Sequence, residues 1–160
     1  MSPRPAWLAA ATWLLAAAVQ ASGVESAAWT EPRDWQVIAF RCPAGCSEPL
    51  RRFLQATVGQ RVRIEAAGLR AGFIDGCDGQ VEWARARRPA AQVAAELDAA
   101  APPGRKVGAR TLQGAGAKVW TAVALCRAPP GEALPMARLI QPKPGVLLWV
   151  QEEQAVLELR

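Results

Sequence analysis

The sequence predicts a β-rich α+β fold: a mainly antiparallel curled sheet or small barrel with two short helices. Three observations carry this. The apolar segments are mostly short, and several alternate with a period of two. Proline and glycine punctuate them, at Ala101-Pro-Pro-Gly104, Pro129-Pro-Gly131 and Pro142-Lys-Pro-Gly145. After residue 105 the strand-like segments follow one another directly instead of alternating with helices, which favours antiparallel pairing over βαβ units.

The chain opens with an address. Arg4 precedes an apolar run, Leu8 to Val19, and Val19-Gln20-Ala21 then supplies the small-x-small pattern of a signal-peptidase site. The run is shorter than the ~20 residues a membrane span needs. Residues 1–21 are therefore expected to be cleaved, residues 22–34 to form a flexible lead-in, and residues 35–160 to form one disulfide-stapled domain.

Within that domain, Trp35 to Phe40 is β-prone and reads as the first strand. Ser47 is a good N-cap, with Glu48 and Pro49 suited to a first helical turn. Leu50, Phe53, Leu54 and Val58 then mark one face of a helix over 48–58, which Gly59 ends. Arg61 to Glu65 alternates, with Val62 and Ile64 inward. Residues 68–79 are turn-rich, and Val81 to Arg85 alternates again. Pro89 opens a second helix running to about Ala100, with Val93 and Leu97 one turn apart. Strands are expected at 106–112, 117–126, 137–141, 145–150 and 154–159, the last two forming a hairpin around Gln151 to Gln154. The short Gly114-Ala-Gly-Ala-Lys118 stretch reads as a hairpin turn.

Composition restricts the chemistry. The chain has no histidine, tyrosine or asparagine. Serine or cysteine nucleophiles activated by histidine are thereby excluded, as is any imidazole metal ligand. Beyond the signal segment only Ser22, Ser26 and Ser47 remain, none in a Gly-x-Ser-x-Gly elbow, and there is no phosphate-binding loop. The balance past residue 21 is 18 basic to 14 acidic side chains, a mild excess of +4 that suits an anionic surface. So small an excess in an exported chain makes nucleic acid an unsuitable ligand.

All four cysteines, Cys42, Cys46, Cys77 and Cys126, lie past the expected cleavage point, where an oxidising compartment lets disulfides persist. Of the three possible connectivities, Cys42–Cys46 with Cys77–Cys126 is preferred: the second bridge would pin the 68–79 loop to a strand ending at Cys126. A strand ending at Phe40, then Cys42-Pro-Ala-Gly-Cys46, then a capped helix also resembles, over residues 36–57, the copper-handling thioredoxin-fold proteins of the Sco type. That resemblance implies Cu(I) bound by Cys42 and Cys46, or thiol exchange at them, because a helix N-terminus lowers a thiol's pKa.

Two further clusters stand out. Asp75, Asp78 and Glu82 offer three carboxylates within eight residues, enough to consider a hard cation or an acid–base pair. Trp83, Arg85, Arg87 and Arg88 offer an aromatic and three guanidiniums; on a strand, Trp83, Arg85 and Arg87 would share a face able to stack on a sugar or hold phosphates. Of the tryptophans at 29, 35, 83, 120 and 149, the last four fall in strand-like runs and are expected mostly in the core.

Together these features predict a periplasmic or secreted, non-enzymatic binding or inhibitor module, with no catalytic residues and no cofactor. Its partner would be an envelope protein or anionic envelope polymer. The alternative is a periplasmic copper or thiol-redox carrier. Intact-mass measurement of the exported protein should give a chain starting near Ser22; a mass that retains Leu8 to Val19 would exclude the signal-peptide assignment.

Overall fold

The computed structural model describes residues 33–127 and 131–160; the signal segment, most of the 22–34 lead-in and Trp29 lie outside the described residues. In chain order the described elements are β1 (Arg33–Arg41), α1 (Glu48–Thr57), β2 (Arg61–Glu65), β3 (Gly68–Ala71), β4 (Gln80–Pro89), α2 (Ala90–Ala100), α3 (Gly108–Thr111), β5 (Lys118–Arg127), β6 (Ala133–Lys143), β7 (Val146–Val150) and β8 (Val156–Leu159). A single 3₁₀ turn, Glu152–Gln154, joins the last two strands.

All eight strands belong to one sheet in the order β3-β2-β1-β8-β7-β6-β5-β4, and every pairing is antiparallel. The sheet curls until its two edges nearly meet. The Val81 amide donates to the Ala67 carbonyl at 3.4 Å, and the Trp83 indole Nε1 donates to the Glu65 carbonyl at 3.0 Å. The curled, β-rich α+β class is as the sequence predicts. The sheet holds no βαβ unit, so it is not a thioredoxin fold, whatever the local likeness around Cys42.

The curl makes two cores. Inside it, Trp35, Val37, Val62, Ile64, Leu139, Leu147, Trp149, Leu157 and Leu159 pack together with Leu54 of α1. Outside it, Val93 and Leu97 of α2 cover Val119, Ile140, Val146, Leu148 and Val156, joined by Val107 and Leu112 beside α3. Strands β6 to β8 are therefore buried on both faces. This explains why Val146-Leu-Leu-Trp-Val150 is apolar at every position: each alternate side chain meets a core.

Several boundaries differ from the sequence expectation. β1 begins at Arg33, two residues before the expected start at Trp35. The 68–79 segment begins with a four-residue strand, β3, before its turns. The segment 106–112 is not a strand: residues 108–111 are helical. The Asp98 carboxylate accepts hydrogen bonds from the Val107 and Gly108 amides at 2.6 and 2.8 Å, holding the start of α3 against the end of α2. Contact fixes this conformation where local propensity is weak. The approach is close enough that a Cβ on Gly108 would lie 2.1 Å from the Ala94 carbonyl oxygen. The 114–118 stretch joins α3 to β5 and is not a hairpin turn.

Helix α1 stands where expected, and Gly59 follows it with φ at +89°, a left-handed conformation that suits glycine. Its buried face is rotated from the expected one. Leu54 and Thr57 are buried, whereas Phe53 is 40% exposed. Phe53 meets Phe73 edge-to-face at 6.3 Å, and Phe73 in turn meets Trp149 at 5.3 Å. The helix leans through Leu50 and Leu54, with Phe53 lying over the loop after β3. Trp35 and Trp149 are core, while Trp83 and Trp120 are half-buried at its margin. Among the described residues no helix is long and apolar enough to cross a membrane.

Leu54→Ala should destabilise the protein by about 2–5 kcal/mol, and Phe53→Ala by clearly less, about 1–2 kcal/mol. Denaturant titration distinguishes them; equal losses would mean that the helix packs on the other face. Gly108→Ala should cost about 1–3 kcal/mol or more, because the added methyl meets backbone and not a side chain that can turn aside.

Candidate functional site on strand β4

Both expected disulfides are present, Cys42–Cys46 and Cys77–Cys126, and among the described residues no cysteine is free. The Cys77–Cys126 bridge ties the 72–79 loop to the end of β5 and closes a loop of 49 residues in sequence separation. In the chain-entropy model such a loop stabilises by roughly 4 kcal/mol, and the short Cys42–Cys46 loop by roughly 2 kcal/mol.

The surroundings of Cys42–Cys46 do not favour a reactive thiol. Ser47 is the N-cap of α1, but its hydroxyl does not cap the helix; it donates to Glu153 Oε1 at 2.8 Å. The Ser47 amide donates to the other Glu153 oxygen, also at 2.8 Å. These bonds, the amide's first, hold the Glu153 carboxyl below its ordinary value. Glu153 reaches this position from a left-handed backbone, φ 52°. The helix N-terminus beside Cys46 thus already holds an anion, and a second one, a thiolate, would be repelled by it. The open groove between this loop and the end of α2, of about 590 Å³, is lined by Ala44, Gly45, Cys46, Ala100, Ala101, Pro102 and Glu153. It offers one charged group, and that group is engaged.

The three-carboxylate cluster does not assemble. Glu82 forms a two-pronged pair with Arg127, at 2.7 and 3.0 Å, while Asp75 and Asp78 are exposed on the loop. Among the described residues no three cysteines or carboxylates gather as metal ligands would.

Strand β4 divides the fourth candidate set. Its side chains alternate, and Val81 lies in the inner core, so Trp83, Arg85 and Arg87 continue the same face outward from core to solvent. The register agrees: they stand opposite Ala124, Ala122 and Trp120 of β5. Arg88 points the other way, to α2. It forms a two-pronged pair with Glu96, one arm at 2.9 Å, and Arg138 reaches the same carboxylate at 3.4 Å. Arg88 is thus a structural tie, and the shared surface consists of Trp83, Arg85 and Arg87.

Two facts describe Arg85, the first of them shared with Arg33, which lies over the Trp35 ring at 4.3 Å. Its guanidinium lies 5.5 Å from the Trp83 ring centroid, a cation–π contact. Desolvation lowers its pKa, with no carboxylate to offset it. The other arginines with shifted values, Arg63, Arg88 and Arg127, are each raised by a bound carboxylate. Arg85 is an exposed cation whose contact among the described residues is an aromatic ring. Sequence reading located this face by its alternation. It missed the roles of Glu153 and Asp98, whose partners lie 106 and 9–10 residues away.

The chain matches no protein-family model, no curated protein sequence and no solved structure.

The Glu153 contact has a pH signature. A carboxyl whose native pKa is lowered stabilises the fold above its unfolded value, near 4.5, and loses that contribution as pH falls through the native value. Thermal melts of Glu153→Gln from neutral pH to about pH 3 should therefore fall less steeply with acid than those of the parent chain. Parallel curves would show that the carboxylate contributes nothing in solution.

Proposed function

We propose that the protein is an exported, non-enzymatic binding or inhibitor module that recognises an anionic envelope partner, a polymer or an acidic protein surface, through the Trp83–Arg85 face of β4. The observation that carries this reading is the Arg85 cation: exposed, held over the Trp83 ring at 5.5 Å and without a carboxylate partner among the described residues. An exposed cation with no carboxylate of its own among the described residues can attract an incoming anion without first breaking an ion pair. The stacked indole adds a platform for a sugar ring or an aliphatic chain. Secretion or a periplasmic location is supported by the two disulfides and by the signal-like order of residues 4–21.

The alternative, a copper or thiol-redox carrier at Cys42 and Cys46, has less support. It needs thiolates beside a helix N-terminus that Glu153 already occupies. Thiol titration of the unfolded, unreduced protein addresses it directly: two free thiols mapping to Cys42 and Cys46, with tight Cu(I) uptake, would favour the carrier.

Binding of the mature chain to poly-L-glutamate and to lipoteichoic acid, measured calorimetrically at low and high salt, tests the main reading. Arg85→Glu should weaken binding by roughly tenfold or more, because it replaces an attraction with a like-charge clash. Arg52→Glu on the exposed face of α1 should leave binding within about twofold. Equal losses in both variants would reduce the interaction to diffuse charge, and no binding to either polymer would refute the reading.

A further inference from the structure

Strand β4 is an end strand of the curled sheet. In an antiparallel ladder, alternate residues direct both backbone groups to the same neighbour. The Ala90 amide bonds Ala117, on the β5 side, whereas the Val81 amide bonds Ala67, on the opposite side. Odd-numbered residues of β4 therefore direct their N–H and C=O groups away from β5. Beyond Val81 the described part of the barrel offers them no strand: the contact at the seam after that point is the Trp83 indole to the Glu65 carbonyl. At Trp83 and Arg85, the residues whose side chains form the anion-seeking face are also those whose backbone faces the open edge.

We infer that β4 accepts an extended, acidic peptide segment of a partner protein as an added strand along Trp83–Arg85. This rests on the anionic-partner reading above and narrows it from any anion to a peptide with its own backbone donors and acceptors. Residues of the added strand lying opposite Trp83 and Arg85 project onto the same face, so an aspartate or glutamate there meets the Arg85 guanidinium. The intervening residues lie beside Ala84 and Ala86, which are small and exposed and leave room for bulky side chains. Main-chain bonds supply affinity and the alternate positions supply selectivity, as in other cases of strand addition. A second copy of this chain is a poor occupant, because pairing β4 with β4 brings arginine-rich strands together. Charges of one sign on an edge repel their own kind and select the opposite one. Arg87, which has an interaction of its own, is not needed for this.

Residue-resolved amide exchange of the mature chain by NMR, with and without a capped alternating Glu-Val octapeptide, tests the proposal. In the free protein the Ala84 and Ala86 amides, bonded to β5, should exchange slowly and those of Trp83 and Arg85 quickly. Saturating peptide should slow Trp83 and Arg85 by about tenfold or more. The same octapeptide N-methylated at every residue, which keeps the charge but has no backbone donors, should bind at least about tenfold more weakly. Slow exchange at Trp83 and Arg85 in the free chain would mean that the edge is already covered, by the chain's own residues or by a second copy, and would overturn the proposal. Binding without protection, or equal binding of the two acidic peptides, would overturn strand addition and leave the anionic reading standing. Failure of both peptides together with the anionic polymers would overturn both.

Discussion

The burial of β7 on both faces is the constraint from which the rest of the architecture follows. Leu147 and Trp149 belong to the inner core, and Val146 and Leu148 to the outer one. A strand of this kind needs apolar cover on each side and hydrogen-bonded neighbours on each edge. The flanking β6 and β8 supply the neighbours. The curl of the remaining sheet supplies one cover, with α1 contributing Leu54 to it, and α2 with α3 supplies the other. With β7 at the centre of the order β3-β2-β1-β8-β7-β6-β5-β4, the least enclosed strands are the outermost, β3 and β4.

That arrangement gives β4 its character. It pairs with β5 along its whole length, and among the described residues the opposite edge meets the seam near Val81 and Trp83. Exposed strand edges invite indiscriminate pairing, and proteins commonly protect them with charge. Here the charge has two fates. Arg88 is spent within the fold, fastening β4 to α2 through Glu96. Among the described residues Arg85 has no such partner, and it lies over Trp83. The difference between them is one of side: Arg85 and Arg88, three residues apart, face opposite ways from the strand, one as a candidate recognition group and the other as a structural tie.

The loops are held by a different set of forces. Cys77–Cys126 fastens the 72–79 loop to the sheet, and Cys42–Cys46 closes the turn before α1. Glu153 then connects that turn to the β7–β8 connection through Ser47. Covalent ties and charge-assisted hydrogen bonds thus lie at the margin of the inner core, against which Cys42, Cys46 and Cys77 pack. A carboxylate seated at a helix N-terminus stabilises the helix, and it also makes the neighbouring cysteine a poor site for a thiolate. The same residue that orders this end of the molecule argues for a structural disulfide.

The sequence by itself determined the fold class, the positions of α1 and α2 and most of the strands, and it favoured, among three connectivities, the cysteine pairing that the structure shows. Those features rest on local signals: alternation in Arg61 to Glu65, punctuation by proline and glycine, and the Ser47-Glu48-Pro49 start of a helix. It also placed Trp83, Arg85 and Arg87 on one face, because a strand's side chains alternate whatever surrounds it. Only the tertiary structure decided the rest. Phe53 shares the helical periodicity of Leu54, but which of them enters the core depends on where the sheet lies against the helix. Residues 108–111 have no strong helical signal and become helical because Asp98 binds the Val107 and Gly108 amides. Glu153 finds Ser47 across 106 residues, and no local pattern encodes that meeting. Local periodicity is written in neighbouring residues; which faces are covered, which charges are paired and which edge stays open depends on distant segments packing together, and so appears only once the chain is folded.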